Sequence, residues 1–198
     1  LASFNSGKMH DSIPRDGKVV FAVPAADKET VRADWNIFTA AVEDEFHVTD
    51  TTMEFHLEST EATPVLPKDV SRRFILAIQG IDNGVFAMCQ DEAISWLVET
   101  SSNVASIITT DNEITVVASH RSSVMSNLDN EANTVKAVFE LAGADITISD
   151  GYPAWKMNPD SKLTKVAVES YKKLFGKEPI VKGIHAGLEC GLFSERYP

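Results

Sequence analysis

Apolar side chains recur at two different spacings along this chain, and the change from one spacing to the other marks out its elements. Residues 18–23 (KVVFAV) form a short run rich in β-branched residues that Pro24 stops, which predicts a strand. Asp27 then offers an N-cap, and Val31, Trp35, Phe38, Val42 and Phe46 follow at helical spacing. Met53, Phe55 and Leu57 alternate with Glu54, His56 and Glu58, the signature of a strand with one wet face. Pro67 suits the first turn of a second helix whose buried stripe is Val70, Phe74, Ala77, Ile78 and Ile81, ended by Asp82-Asn83-Gly84.

Between Trp96 and His120 two strand-like runs flank Asp111-Asn112, which predicts a hairpin. Val124, Leu128, Ala132, Val135, Val138, Phe139 and Ala142 outline a third helix closed by Gly143. Ile146 and Ile148 mark a further strand, and Gly151-Tyr152-Pro153-Ala154-Trp155 is a turn-like break and a candidate domain boundary. A fourth helix follows, with Asp160 or Ser161 as cap. Leu163, Val166, Tyr171 and Leu174 are its apolar positions, Lys172 and Lys173 stand near its C-terminal dipole, and Gly176 is its stop. Residues 180–184 run as a strand into a glycine turn. Helices alternating with one-wet-face strands predict an α+β fold, a mostly antiparallel sheet with helices packed on one face.

Composition narrows the function classes. The 198 residues carry a formal net charge of −11, with acidic side chains spread along the chain. Such a field repels phosphate backbones, so no nucleic-acid partner is expected. No apolar run approaches the roughly 18 residues of a membrane span, so no membrane partner is expected either. Cys89 and Cys190 match no metal or disulfide spacing, and isolated thiols fit a reducing, cytoplasmic compartment. The N-terminus has no initiator Met and no signal-peptide pattern; both ends read as a chain already under way.

The chemistry-bearing residues concentrate near the C-terminus, in His185-Ala186-Gly187-Leu188-Glu189-Cys190-Gly191. His185 and Cys190 suggest a thiol–imidazole pair, but a catalytic thiolate wants a cation or a helix N-terminus beside it, and here a carboxylate precedes the thiol. Cys89, on an apolar stretch, fits a small core residue. The five histidines, His10, His47, His56, His120 and His185, lie far apart and make no recognised ligand motif. Gly187 and Gly191 flank a strand-to-helix turn, serving either a tight turn alone or the close approach of an anion to backbone N–H groups. Arg121 follows a strand and precedes a helix, placed either in solvent or as a fork for a carboxylate. Residues 10–16 (HDSIPRD) form an Asp/Ser/Pro loop leading into the first strand.

Taken together, "GIHAGLECGLF" at 183–193, "LVETSSNVASI" at 97–107 and "ISDGYPAWKMNPDSKL" at 148–163 resemble the bacterial aminoacyl-histidine dipeptidases. These enzymes are also called Xaa-His or cytosolic non-specific dipeptidases, of the di-zinc peptidase clan. "MHDSIPRDGKVVFAV" at 9–23 resembles the entry to their lid domain, and "SHRSSVMSNLD" at 119–129 their arginine segment. The resemblance implies that residues 1–150 are most of a ferredoxin-like lid and dimerisation domain, and that 151–198 return into a catalytic domain. It implies a parent that hydrolyses dipeptides such as Xaa-His with two zinc ions, a homodimer through the lid, and no catalytic residue or metal ligand within this chain, which alone would be inactive. Substrate-binding roles carry over to Arg121, which matches the arginine that grips the substrate's C-terminal carboxylate, to Gly187 in the glycine turn, and to Glu189 beside it. Asp11 stands where the family carries asparagine in an N-x-I-P pattern; an ionised carboxylate accepts hydrogen bonds but donates none. The alternatives are a free-standing α+β module that binds a small amino-acid-like ligand or mediates dimerisation, and a cysteine-dependent hydrolase.

Overall fold

The structure, a computed structural model, describes residues 1–149, 151–155, 157–158 and 160–197. The boundary expected between 150 and 151 therefore falls on Asp150, which lies outside the described residues, as do Lys156 and Pro159 of the segment beyond it. Among the described residues the chain forms five strands, all paired antiparallel, and five α-helices.

The sheet is organised on its longest strand. β4 (Val98–Thr109) and β5 (Ile114–Ser122) are the predicted hairpin, in register from Thr100↔Ser122 to Thr109↔Ile114. Thr110 and Glu113 close its turn through a backbone bond of 2.9 Å. The other edge of β4 is shared. β3 (Gly84–Met88) pairs with its first half, and β1 (Ser3–Ser6) meets it at Ser6↔Ile107. Side chains extend that short junction: Thr109 Oγ1 accepts from the Phe4 N–H, and Asn5 Oδ1 accepts from the Thr109 N–H, each at 2.9 Å. β2 (Gly17–Val20) completes the sheet on the outside of β1, and Pro24 stands beyond it as expected.

Two helices cover one face. α3 (Met125–Leu141) packs across β5 and β4, and α2 (Lys68–Gly80) lies beside α3. Phe74 of α2 meets Phe4 of β1 edge to face at 6.2 Å. Arg73 Nη1 donates to the Ala142 carbonyl at 2.6 Å, a cation at a helix C-terminus where the exposed carbonyls favour it. Ala77, Ile81, Ala105, Ile107 and Val135 are the buried apolar residues of this interface region. Pro67 takes the position just ahead of α2, where its missing N–H costs nothing. Gly143, at φ 78°, follows α3.

α1 (Lys28–Phe46) and α4 (Lys162–Phe175) stand away from the sheet. Asp27 does precede α1, although its side chain makes no capping bond. Ser161 caps α4 by accepting from the Thr164 N–H at 3.4 Å, and Gly176 ends it at φ 64°. Three expected strands are not strands. Residues 53–57 are extended, with Met53, Phe55 and Leu57 half-buried and the residues between them exposed, but they pack on α1 (Phe55 against Trp35, centroids 6.3 Å apart) rather than joining a ladder. Ile146–Ile148 and residues 180–184 likewise have no ladder, and Ile148, Ile180, Val181 and Ile184 are exposed. Apolar alternation reports which side of a segment is packed; a strand also needs a partner edge.

Candidate functional site

The uncovered face of the β4–β5 hairpin is polar, and three of its side chains hold the loops that cross it. Alternation along the two strands sends the pair Ser102 and His120 toward α3, and the adjacent residues Ser101, Asn103 and Arg121 to the other side. Arg121 is thus a strand residue, paired with Ser101, rather than part of the connection into α3. Its guanidinium donates from Nη1 to the His185 carbonyl at 3.3 Å and from Nη2 to the Asp11 carbonyl at 3.5 Å. Asn103 Nδ2 donates to the Ser12 carbonyl at 2.9 Å, and Ser101 Oγ lies 2.7 Å from His185 Nε2. Two segments far apart in sequence, the 10–16 loop and the 183–188 turn, are thereby brought to one arginine.

The electrostatics follow from this packing. Burial lowers the His185 pKa below its ordinary 6.5, and the Arg121 guanidinium lowers it further, while a hydrogen bond with the Val98 backbone pulls the other way. The imidazole is held neutral beside a permanent cation. On the covered face, His120 Nδ1 lies 3.0 Å from Ser102 Oγ, and burial lowers its pKa as well. Under α3, Glu131 is only 5% exposed, and its Oε1 has no hydrogen-bond partner. Burial first, then the Asp82 carboxylate, raise its pKa above 4.5, and the Ser102 hydroxyl only partly offsets them.

The sequence-predicted residues do not all converge in the same way. Asp11 reaches Arg121 through its backbone carbonyl, while its exposed carboxylate accepts from the Ser12 hydroxyl at 3.4 Å. Gly187 is exposed in the turn, and a Cβ there would stand 3.3 Å from Tyr152 Cβ, so its small size serves a close approach. Glu189 is the first residue of α5 (Glu189–Arg196), exposed at a helix N-terminus that favours its charge. Gly191 does not flank the turn: it lies inside α5, buried, with the Pro153 carbonyl 3.0 Å from where its Cβ would be. The thiol–imidazole pairing fails on geometry, because His185 Nε2 is on Ser101 and Cys190 is exposed. Cys89 is half-buried, its thiol pushed up by burial and by Glu99 and Asp91. Ser101, Asn103 and His185 were not anticipated as anchors. The polar run Glu99-Thr100-Ser101-Ser102-Asn103 within β4 marks the region but not the face that each side chain takes.

Asp11, Arg121, Tyr152, His185 and Gly187 line one broad cleft between the sheet and the 151–155 and 181–195 segments. Arg121 is the group there that suits an anion such as a carboxylate: among the described residues its guanidinium donates to two backbone carbonyls and to no acidic side chain. Among the described residues no group of three or more His, Cys, Asp or Glu side chains is gathered to hold a metal ion. No helix among the described residues is long and apolar enough to cross a membrane.

The chain is an antiparallel α+β sheet, helix-covered on one face, with Arg121 holding two loops on the other. Its homologues are dipeptidases. The cytosol non-specific dipeptidase of Escherichia coli (strain K12) is 30% identical over 199 residues, covering all of this chain and 41% of the relative. The crystal structure of aminoacylhistidine dipeptidase from Vibrio alginolyticus matches at 34% identity with a TM-score of 0.87, over 98% of this chain and 40% of that one. The chain thus spans about two fifths of the length of these relatives. No protein-family model matches it.

Proposed function

We propose that this chain is the substrate-clamping part of a zinc-dependent dipeptidase that hydrolyses dipeptides such as Xaa-His. In this reading residues 1–150 are the lid and dimerisation domain of a cytoplasmic homodimer, and residues 151–198 begin the return into the catalytic domain. The observation that carries the reading is the convergence of the 10–16 loop and the 183–188 turn on Arg121. Both bonds are at the long end of the hydrogen-bond range. A substrate carboxylate can replace two weak carbonyl contacts with short, charge-assisted and bidentate ones. The exchange keeps the guanidinium satisfied in both states, so the site can open and close without stranding a charge.

In this reading the Gly187 turn lies along the substrate backbone, with Glu189 beside it as a further substrate-binding residue. The two zinc ions implied by the resemblance belong, on this reading, to segments of the longer protein outside the matched residues, and no catalytic step is assigned to the side chains described above. This chain alone is then inactive. A dipeptidase assay of the full-length protein, with and without a chelator, tests the proposal. Hydrolysis of Xaa-His dipeptides that chelation abolishes and zinc restores is the expected result; no hydrolysis by the metal-loaded protein, or hydrolysis by residues 1–198 alone, overturns it.

A further inference from the structure

Ser101 and Arg121 face each other across β4 and β5, and both are bonded to the same residue of a distant segment. Ser101 Oγ holds the imidazole of His185 at 2.7 Å, and Arg121 Nη1 holds its carbonyl at 3.3 Å. One cross-strand pair therefore grips His185 by its side chain and its backbone at once. Gly187 lies two residues beyond this grip and α5 begins four residues beyond it. The 10–16 loop is held by Asn103 on the Ser12 carbonyl at 2.9 Å, beside the longer Arg121 contact with the Asp11 carbonyl.

We propose that His185 is a positioning residue, latched to the β4–β5 hairpin through the Ser101 hydroxyl, and that this latch fixes the Gly187 turn relative to the Arg121 guanidinium. The effect on substrate rests on the dipeptidase reading above; the latch itself does not. Fixing both sides of His185 removes the freedom of the ring and of the peptide plane together. The turn then meets a dipeptide already in place, and the ordering cost is not charged to each binding event. Losing the Ser101 contact leaves the ring held by the Val98 backbone alone and leaves the arginine in its strand, so the expected injury is to substrate binding rather than to turnover.

The test uses the full-length protein with Ser101→Ala, Ser101→Thr and Asn103→Ala. Amide hydrogen exchange is the first readout. Ser101→Ala is expected to speed exchange in residues 184–188 and leave residues 8–16 unchanged. Asn103→Ala is expected to do the reverse, and Ser101→Thr, which keeps a hydroxyl, to match wild type. Steady-state kinetics on an Xaa-His dipeptide is the second. Ser101→Ala is expected to raise KM about three- to tenfold, the worth of one net hydrogen bond, with kcat within about twofold of wild type. Faster exchange spread over the whole sheet in Ser101→Ala, an unchanged 184–188 segment, or an unchanged KM overturns the latch. A wild-type protein that hydrolyses no dipeptide overturns the dipeptidase reading instead, and the exchange pattern then decides the latch by itself.

Discussion

On the proposed reading, Arg121 is the side chain that bears most on function. A guanidinium presents two parallel N–H groups in a plane, and a lysine ammonium cannot reproduce that fork. In the full-length protein, Arg121→Ala should raise KM and lower kcat/KM by about 10- to 100-fold, the range for losing a hydrogen bond to a charged group. Arg121→Lys should recover only part of the loss, and zinc content should match wild type in both. Unchanged kinetics in Arg121→Ala would remove the arginine from the site. Glu131 makes a prediction of the opposite kind, about stability. Its pKa is raised in the folded protein, so the fold holds this proton more tightly than the unfolded chain does. The resulting stability is present below pH 4.5 and is lost as pH rises through the folded value. Glu131→Gln should therefore unfold at the same temperature as wild type near pH 4 and gain about 1 kcal/mol by pH 7.5. His120 and His185 work the other way. Their lowered values favour neutral rings in the fold, so the stability they carry is present above pH 6.5 and falls away below it. The sequence singled out Arg121 through the resemblance of residues 119–129, because its position at a strand end left both solvent and a carboxylate fork open. The anchoring role of Ser101 was not legible, because a mid-strand serine discloses its face only once the register with Arg121 is known.

Elements were legible where their signals were local. The β4–β5 hairpin, α3 with Gly143 and α4 between Ser161 and Gly176 each carry their own cap, stop or turn within a few residues. The segments 53–57, 146–148 and 180–184 alternate as strands do, yet their status depends on an edge elsewhere, and spacing within a segment holds no information about that. One glycine shows how tightly the elements that did form are joined. Gly7 follows β1 at φ 71°, in the left-handed region, and a Cβ there would overlap the Ala105 carbonyl oxygen, a backbone atom that cannot swing aside. Ala105 is fully buried at the bulge in β4. Gly7→Ala should thus cost about 3 kcal/mol or more, combining left-handed strain with displacement of the sheet's central strand. It should also loosen the 10–16 loop that leaves from Gly7. Thermal unfolding would show it; a variant as stable as wild type would mean that β1 and β4 are not joined as described.

The surface of the chain is too large for its mass. Its accessible area is 15219 Å² for 21.7 kDa, where a compact monomer of that mass exposes about 9,200 Å². Among the described residues no large side chain is fully buried, whereas Leu141, Leu174 and Ile180 are 88%, 75% and 82% exposed. These apolar positions are not scattered. Leu163, Val166, Leu174 and Phe175 fall on α4, which stands off the sheet, and Ile180, Val181 and Ile184 on the extended segment that follows it. Isolated exposed apolar residues are ordinary, but contiguous ones on an amphipathic helix demand a covering surface. The chain matches only two fifths of its relatives' length, and on the proposed reading segments of the longer protein supply that cover. Residues 1–198 by themselves should accordingly bind a hydrophobic dye such as ANS and self-associate at micromolar concentration, with α4 and 180–184 the least protected regions in hydrogen exchange. Restoring the flanking segments should abolish dye binding and protect those same residues. A dye-silent, monomeric 198-residue chain would show instead that α4 finds its cover within the chain, and the division between a lid and a returning catalytic segment would lose its physical basis.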